Sequence, residues 1–388
     1  METSVYLDYA ATTPLDGRVL EAMLPYMREP PGNASSLHAP GVTARAAVEE
    51  ARESVAALIG ASPEEVVFTS GGTESDNLAV LGLAHAAPED KRHLVVSPIE
   101  HAAVRNAVRC LESSEWEVTS LGVDSDGIVD PAELAGALRP DTALATVMWA
   151  NNEVGTVEPM EELAALCAER GVPFHVDAVQ AAGRISLDMS RVRASTLALS
   201  SHKLYGPQGV GALYVRDGVR VEPVAFGGGQ ERGLRSGTEN VAGIVGFGAA
   251  ARLADREIKE RVRHETGLRN RLISGATSLP DVYLNGHPER RLSNNVHLTV
   301  EGVESEGLVL MCDALGYAIG NGSACSSGAA GHKASPVLTA MGRGEREAFS
   351  SVRVTVGKDT TAREVDGFLE VFSVAVTRLR ELSPLRSS

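Results

Sequence analysis

From about Glu65 to Val215 the chain alternates short apolar, partly β-branched runs with stretches of helical periodicity, and this alternation leaves few folds open. The runs are Val66 to Ser70, His93 to Ser97, Thr142 to Ala150, Pro173 to Val179, Thr196 to Ser200 and Gly211 to Val215. They are apolar at most positions rather than at alternate ones, which predicts strands covered on both faces. Between them lie helix signals. Asp130 stands as N-cap before Pro131 at the first helical position, with Glu133 three residues on, which predicts a helix over Pro131 to Leu138. Another is expected from Pro159 to Arg170, ended by Gly171. Strand and helix in alternation imply an α/β fold with a mainly parallel sheet between helical layers.

The 388 residues exceed what one hydrophobic core usually holds, and the length prior suggests roughly two to three domains. After about Gly248 a long charged helical segment leads out of the α/β region. Strand-like runs follow at Ser293 to Gly302 and Phe349 to Gly357, and helical patterns at Gly307 to Gly316 and over the last 25 or so residues. A smaller α+β domain is expected there.

The formal net charge of −15 would repel a phosphate backbone, so a general nucleic-acid binder is not expected. The first residues lack the basic start and apolar run of a signal peptide, and no apolar stretch is of transmembrane length, so a cytoplasmic location with no membrane partner is expected. Cys110, Cys167, Cys312 and Cys325 show no metal-ligand spacing and no disulfide framework; reduced thiols and no metal site are expected. The first three read as inert thiols in helices, whereas Cys325 sits in the glycine, serine and alanine-rich stretch "GSACSSG".

Three motifs of the α/β region carry chemistry together. "FTSGGTESDNLAV" leads a strand into Gly71 and Gly72 and then a helix beginning near Thr73, whose free N–H groups suit a phosphate; a plain capped turn is the structural alternative. "HVDAVQAAGR" places Asp177 inside an apolar run. Such a carboxylate is either a structural salt-bridge partner or the holder of a cationic ring nitrogen, with Gln180 within reach of the same ligand. "LSSHKLYGPQG" places Lys203 at a strand end, either as a solvated loop lysine or as an amine able to form a Schiff base. Pyridoxal phosphate must be held at its phosphate, its ring nitrogen and its aldehyde, and the conjunction points to it. His101, opening a helix after the second strand, is either a capping residue or a ring stacked on the cofactor and able to move protons.

These residues carry a resemblance. "YLDYAATTP", "GNASSLH", "TSGGTESDNLAV", "EHAAV", "NNEVGTVEP", "HVDAVQAAGR", "SSHKLYGPQGVGALYVR", "GGGQERGLRSGTENVAGIVG" and "GSACSSG" are similar, in family order along nearly the whole chain, to the cysteine desulfurases of the iron-sulfur-cluster and nitrogen-fixation type. The resemblance implies a fold-type I, aspartate-aminotransferase-like, pyridoxal-phosphate-dependent homodimer. A large cofactor domain would span 13–255, and residues 1–12 with 256–388 would form a small α+β domain carrying the catalytic cysteine loop at about 320–335.

It also implies roles. Lys203 bonds to the cofactor aldehyde, Asp177 pairs with the ring nitrogen, Gln180 contacts the phenolic oxygen and His101 stacks on the ring. Thr73, the backbone near Gly72, Ser200, His202 and Thr238 of the neighbouring subunit hold the phosphate. Asn152 and Arg353 hold the substrate carboxylate, with Asn33 near. L-cysteine is converted to L-alanine while its sulfur passes to Cys325 as a persulfide, for an acceptor protein in iron-sulfur assembly or in thiolation of a nucleic acid or metabolite. The segment "SSGAAGHKASPVL" after Cys325 is about two residues longer than the housekeeping pattern, and the "RLRELSPLRSS" end lacks its scaffold-binding tail, so the acceptor stays open. A selenocysteine lyase, another lyase or aminotransferase of this fold, and a non-catalytic sulfur-complex subunit are the alternatives.

Overall fold

The computed structural model describes residues 4–28, 32–322 and 334–382. Its strands are β1 Val5–Leu7, β2 Val66–Thr69, β3 His93–Val96, β4 Glu117–Ser120, β5 Thr142–Thr146, β6 Phe174–Asp177, β7 Thr196–Ser200, β8 Gly211–Val215, β9 Val282–Asn285, β10 Asn295–Val300, β11 Tyr317–Asn321 and β12 Ser351–Thr355. They form two sheets. The larger has seven strands in the order β2-β8-β7-β6-β5-β3-β4, parallel from β7 through β4, with β8 reversed against both of its neighbours.

The expected strands lie where the apolar runs are, and β7 and β8 match them residue for residue. Every residue of β2, β3, β5, β6 and β7 is buried, as runs without alternation require. β5 is shorter than its run. After Thr146 the chain still hydrogen-bonds along β6, through Val147 N–H to His175 O and Trp149 N–H to Asp177 O, before Ala150 turns back to bridge Val157. The strand β4 was not expected: "EVTS" lies at the sheet edge, half exposed, and carries no apolar run.

Asp130 caps the helix Pro131–Ala137 by accepting from Ala132 N–H at 2.8 Å, and the next helix runs Met160–Glu169. Ile59, Phe174, Leu197 and Phe247 lie in the core on one side of the sheet, and Leu78, Val104 and Leu213 in the core on the other.

The second sheet, β1-β11-β12-β10-β9, joins residues near the start of the chain to its last third. It has its own core, in which Val296, Leu298, Val352 and Val354 meet Leu308, Phe368 and Phe372. The charged helix runs Val241–Ala276 and begins earlier than its charge suggests, because its first turns are apolar. At 1.5 Å per residue its 36 residues span about 54 Å, enough to place Phe247 and Ala250 in the first core and Leu268 and Leu272 in that of the second sheet.

Candidate active site

Because β7, β6, β5 and β3 are parallel and β2 runs the same way, their C-terminal ends face one side of the sheet, where open α/β sheets bind ligands. β6 ends in Asp177. β7 ends in Ser200 and continues into the single turn Ser201–Lys203. β2 leads through Ser70 and Gly71 into the helix Gly72–Ala86. The segment after β3 reaches His101, N-cap of the helix Ala102–Glu112. From the second sheet comes Arg353 of β12, and from the segment after β1 come Ala10 and Ala11.

Together they enclose a cavity of about 320 Å³ lined by Lys203, Asp177, Gln180, His101, Thr73, Gly72, Ser200, His202, Asn152 and Arg353, with Ala10, Ala11, Asp76, Met148 and Val179 completing the wall. Ten of the predicted site residues thus converge. A second cavity of about 350 Å³ shares Gly72, Thr73, Ser200 and His202 with the first and opens over the start of the helix Gly72–Ala86.

The amine of Lys203 donates to Ala10 O at 2.5 Å and Ala11 O at 2.7 Å. Burial, and then the charges of Arg353 and Arg184, push it down to about 7, so near neutral pH a large share of it is the free amine. Asp177 accepts from Val179 N–H at 2.9 Å, and burial pushes its carboxyl up, against the pull of His101 and Lys203. Gln180 Nε2 donates to Ala10 O at 3.0 Å. His101 Nδ1 accepts from Ala103 N–H at 3.2 Å, which puts the hydrogen of the neutral ring on Nε2, and burial lowers its affinity for a second proton. Arg353, 1% exposed, donates through Nη1 to Asn152 O and through Nη2 to Asp8 Oδ1, both at 2.8 Å, while its Nε–H has no partner among the described residues.

The chain matches the class-V aminotransferase family model over residues 5–368. It is 46% identical over 382 residues to the cysteine desulfurase IscS of Methanosarcina thermophila, covering 98% of this chain and 94% of that one. It is 47% identical over 388 residues to the cysteine desulfurase IscS of Neisseria meningitidis, covering 99% and 95%. A solved NifS-like protein superposes with a TM-score of 0.91 at 37% identity, covering 97% of this chain and all of that one. SspA solved in complex with cysteine superposes with a TM-score of 0.81 at 36% identity, covering 92% and 100%. The chain belongs to the class-V aminotransferase family, among the cysteine desulfurases.

The cofactor of this family is pyridoxal phosphate, and the cavity of this cysteine desulfurase fits it at three places. A buried amine stands where an aldehyde needs one, and a buried carboxyl where a cationic nitrogen needs one. At the third place the amides of Gly72, Thr73 and Glu74 precede the first intrahelical bond, Ser75 N–H to Gly71 O, as a phosphate requires. The turn there is tight. Gly71 has φ +152°, and a Cβ on Gly211 of β8 would stand 2.6 Å from Gly71 Cα, so both positions need glycine.

Asn33 and Thr238 do not join the cavity of their own chain. Both are exposed, and Asn33 Oδ1 accepts from Ser35 N–H at 2.8 Å within its own turn. Cys325 lies outside the described residues. Cys167 and Cys312 are buried and pushed up to about 12, as inert thiols are. Cys110 differs from the expectation of burial: the helix Ala102–Glu112 buries Ala103, Val104, Ala107, Val108 and Leu111, which leaves Cys110 on the exposed face.

Sequence reasoning assigned no role to Ala10, Ala11 or Asp8. They act through backbone carbonyls and an ion pair to distant residues, and the "YLDYAATTP" motif that holds them was their only signal.

Proposed function

We propose that this cysteine desulfurase releases L-alanine from L-cysteine and takes up the sulfur as a persulfide on Cys325. The buried amine of Lys203, pushed down to about 7 in the same cavity as Asp177 and Arg353, carries this reading. It supplies, within one volume, a nucleophile for an aldehyde, a counter-charge for a ring nitrogen and a donor for an amino-acid carboxylate.

When bound, pyridoxal phosphate supplies a sink for the electron pair released at the substrate's Cα. Asp177 would hold the ring nitrogen, Gln180 the phenolic oxygen, and His101 would lie against the ring. Gly72, Thr73, Ser200 and His202 would hold the phosphate, joined by Thr238 of the neighbouring copy in a homodimer. Arg353 and Asn152 orient the substrate carboxylate, with Asn33 near. Lys203 would supply the amine that holds the cofactor aldehyde and, as a free amine beside the substrate, would accept the Cα proton. Cys325 as thiolate attacks the substrate sulfur: a sulfur–sulfur bond forms and the Cβ–S bond breaks. The electron pair of the broken bond stays on Cβ, which is protonated, and Cα regains a proton to give alanine.

The sulfur then passes to an acceptor protein, in iron-sulfur assembly or in thiolation of a nucleic acid or metabolite. A cytoplasmic location is part of this reading; among the described residues no helix is long and apolar enough to cross a membrane. The separate core of the second sheet, built from Leu7 and residues between 268 and 376, supports the division into a large domain, 13–255, and a small one formed by 1–12 and 256–388.

The test is alanine production from L-cysteine with a reductant. Cys325→Ala is expected to keep the cofactor absorbance and lose turnover; full activity in that variant would overturn the reading.

A further inference from the structure

Beside Asp177 lie two carboxyls that the chemistry above does not use. Asp76, on the second turn of the helix Gly72–Ala86, and Glu100, just before His101, are each 1% exposed. One oxygen each of Asp76 and Asp177 and a ring nitrogen of His101 lie within 4.8 Å of one another. Three ionised carboxylates in one dry cluster, faced by Lys203 across the cavity and by Arg105 beyond Glu100, would repel one another strongly.

His175 gives Asp76 a side-chain hydrogen-bond partner inside the cluster. The histidine lies two positions before Asp177, on the same face of β6, and is wholly buried. Its Nδ1 is 3.0 Å from Thr196 Oγ1, and its Nε2 is 3.2 Å from Asp76 Oδ1. Burial keeps the ring neutral, and a neutral imidazole carries one N–H. Buried carboxylates with oxygens within 4.8 Å of one another are costly to ionise together, and a proton on Asp76 makes its partner Nε2 an acceptor, with the ring hydrogen on Nδ1 beside Thr196 Oγ1.

We propose that Asp76 is a positioning residue for the cofactor: it stays a neutral carboxylic acid that donates its O–H to His175 Nε2, so that Asp177 carries the cluster's negative charge at the ring nitrogen. The desolvation and like-charge pressure that push Asp76 and Glu100 well above the carboxylate range agree with this arrangement. The inference rests on the reading of Asp177 as the ring-nitrogen partner. An ionised Asp76 would compete for the same cation, whereas a neutral one locks His175 and, through β6, the place of Asp177.

The test is infrared spectroscopy of the full-length, cofactor-loaded protein at pH 8, with and without carbon-13 in the aspartate carboxyls. The expected result is a carbonyl band of a protonated carboxylic acid that shifts with the label, survives Glu100→Gln and disappears in Asp76→Asn. Asp76→Asn is expected to bind pyridoxal phosphate within about threefold of the parent protein, and Asp177→Asn at least about tenfold more weakly. No label-sensitive band in the unmutated protein, which needs no variant to fold, would overturn the proposal, as would a band that persists in Asp76→Asn. Unchanged cofactor affinity in Asp177→Asn, with the Asp76 band present, would instead overturn the reading of Asp177 on which the proposal stands.

Discussion

Arg353 Nη2 lies 2.8 Å from Asp8 Oδ1, joining β12 to the residue that follows β1, 345 positions earlier. This pair and the bond from Nη1 to Asn152 O fix the guanidinium at the cavity wall. Arg353→Lys keeps a charge but loses the planar fork. Hydrogen bonds to charged groups contribute about 1.5–3 kcal/mol, so KM for L-cysteine is expected to rise about 10–100-fold in steady-state kinetics while the cofactor absorbance is unchanged.

Lys203 makes cofactor uptake pH-dependent. Its amine, lowered from 10.5 to about 7 by burial, is protonated below that value and free above it. In stopped-flow mixing of cofactor-free protein with pyridoxal phosphate, the uptake rate is expected to climb about tenfold per pH unit below pH 7 and to level off above about 8. Stability follows the same group. Between about pH 7 and 10.5 the unfolded lysine holds a proton that the folded one has lost, so this contribution to the stability of the cofactor-free protein rises with pH. Lys203→Met is expected to flatten that slope in urea titrations across the window.

Gly211 limits how closely the phosphate turn is packed. Its missing Cβ would meet Gly71 Cα and Leu199 O, each at 2.6 Å, and neither is a flexible side-chain end. Gly211→Ala is expected to lower stability by about 1–3 kcal/mol, as overpacking does. It should also weaken pyridoxal phosphate binding, read by fluorescence titration, while Gly136→Ala, in open space within a helix, should leave binding unchanged.

Glu231 anchors the exposed side of the edge strand β2. Its carboxylate accepts from Arg52 Nη1 at 2.7 Å, Arg52 Nη2 at 2.9 Å and Phe68 N–H at 2.8 Å, all buried. Removing it leaves the buried Arg52 guanidinium to the half-exposed Glu49 and to Val66 O and takes the acceptor from Phe68 N–H, which costs about 1–3 kcal/mol. Glu231→Ala is expected to lower the urea midpoint accordingly, with little change in the slope of the transition.

What could be read in the sequence follows from which interactions are local. The buried strands announce themselves through apolar runs, and Asp130 through its spacing to Pro131 and Glu133. Asp177 and Lys203 were legible because an acid within an apolar strand and a lysine at a strand end need a reason to be there. Asp76 was not, since a polar residue early in a helix usually faces water; its burial depends on His175, 99 positions away. The carbonyls of Ala10 and Ala11 have no side-chain signature at all. Glu231 escaped for a related reason: it follows a glycine-rich loop and holds φ +45°, and its buried ion-pair partner Arg52 lies 179 positions away.

The central claim is that sulfur leaves L-cysteine onto Cys325. The most direct measurement is a single turnover of the cofactor-loaded protein with one equivalent of L-cysteine and no reductant, followed by peptide mass spectrometry and alanine quantitation. The account predicts one added sulfur atom on the Cys325 peptide, with alanine formed in equal amount. Alanine formed while Cys325 stays unmodified, or sulfur found instead on the exposed Cys110, would contradict it.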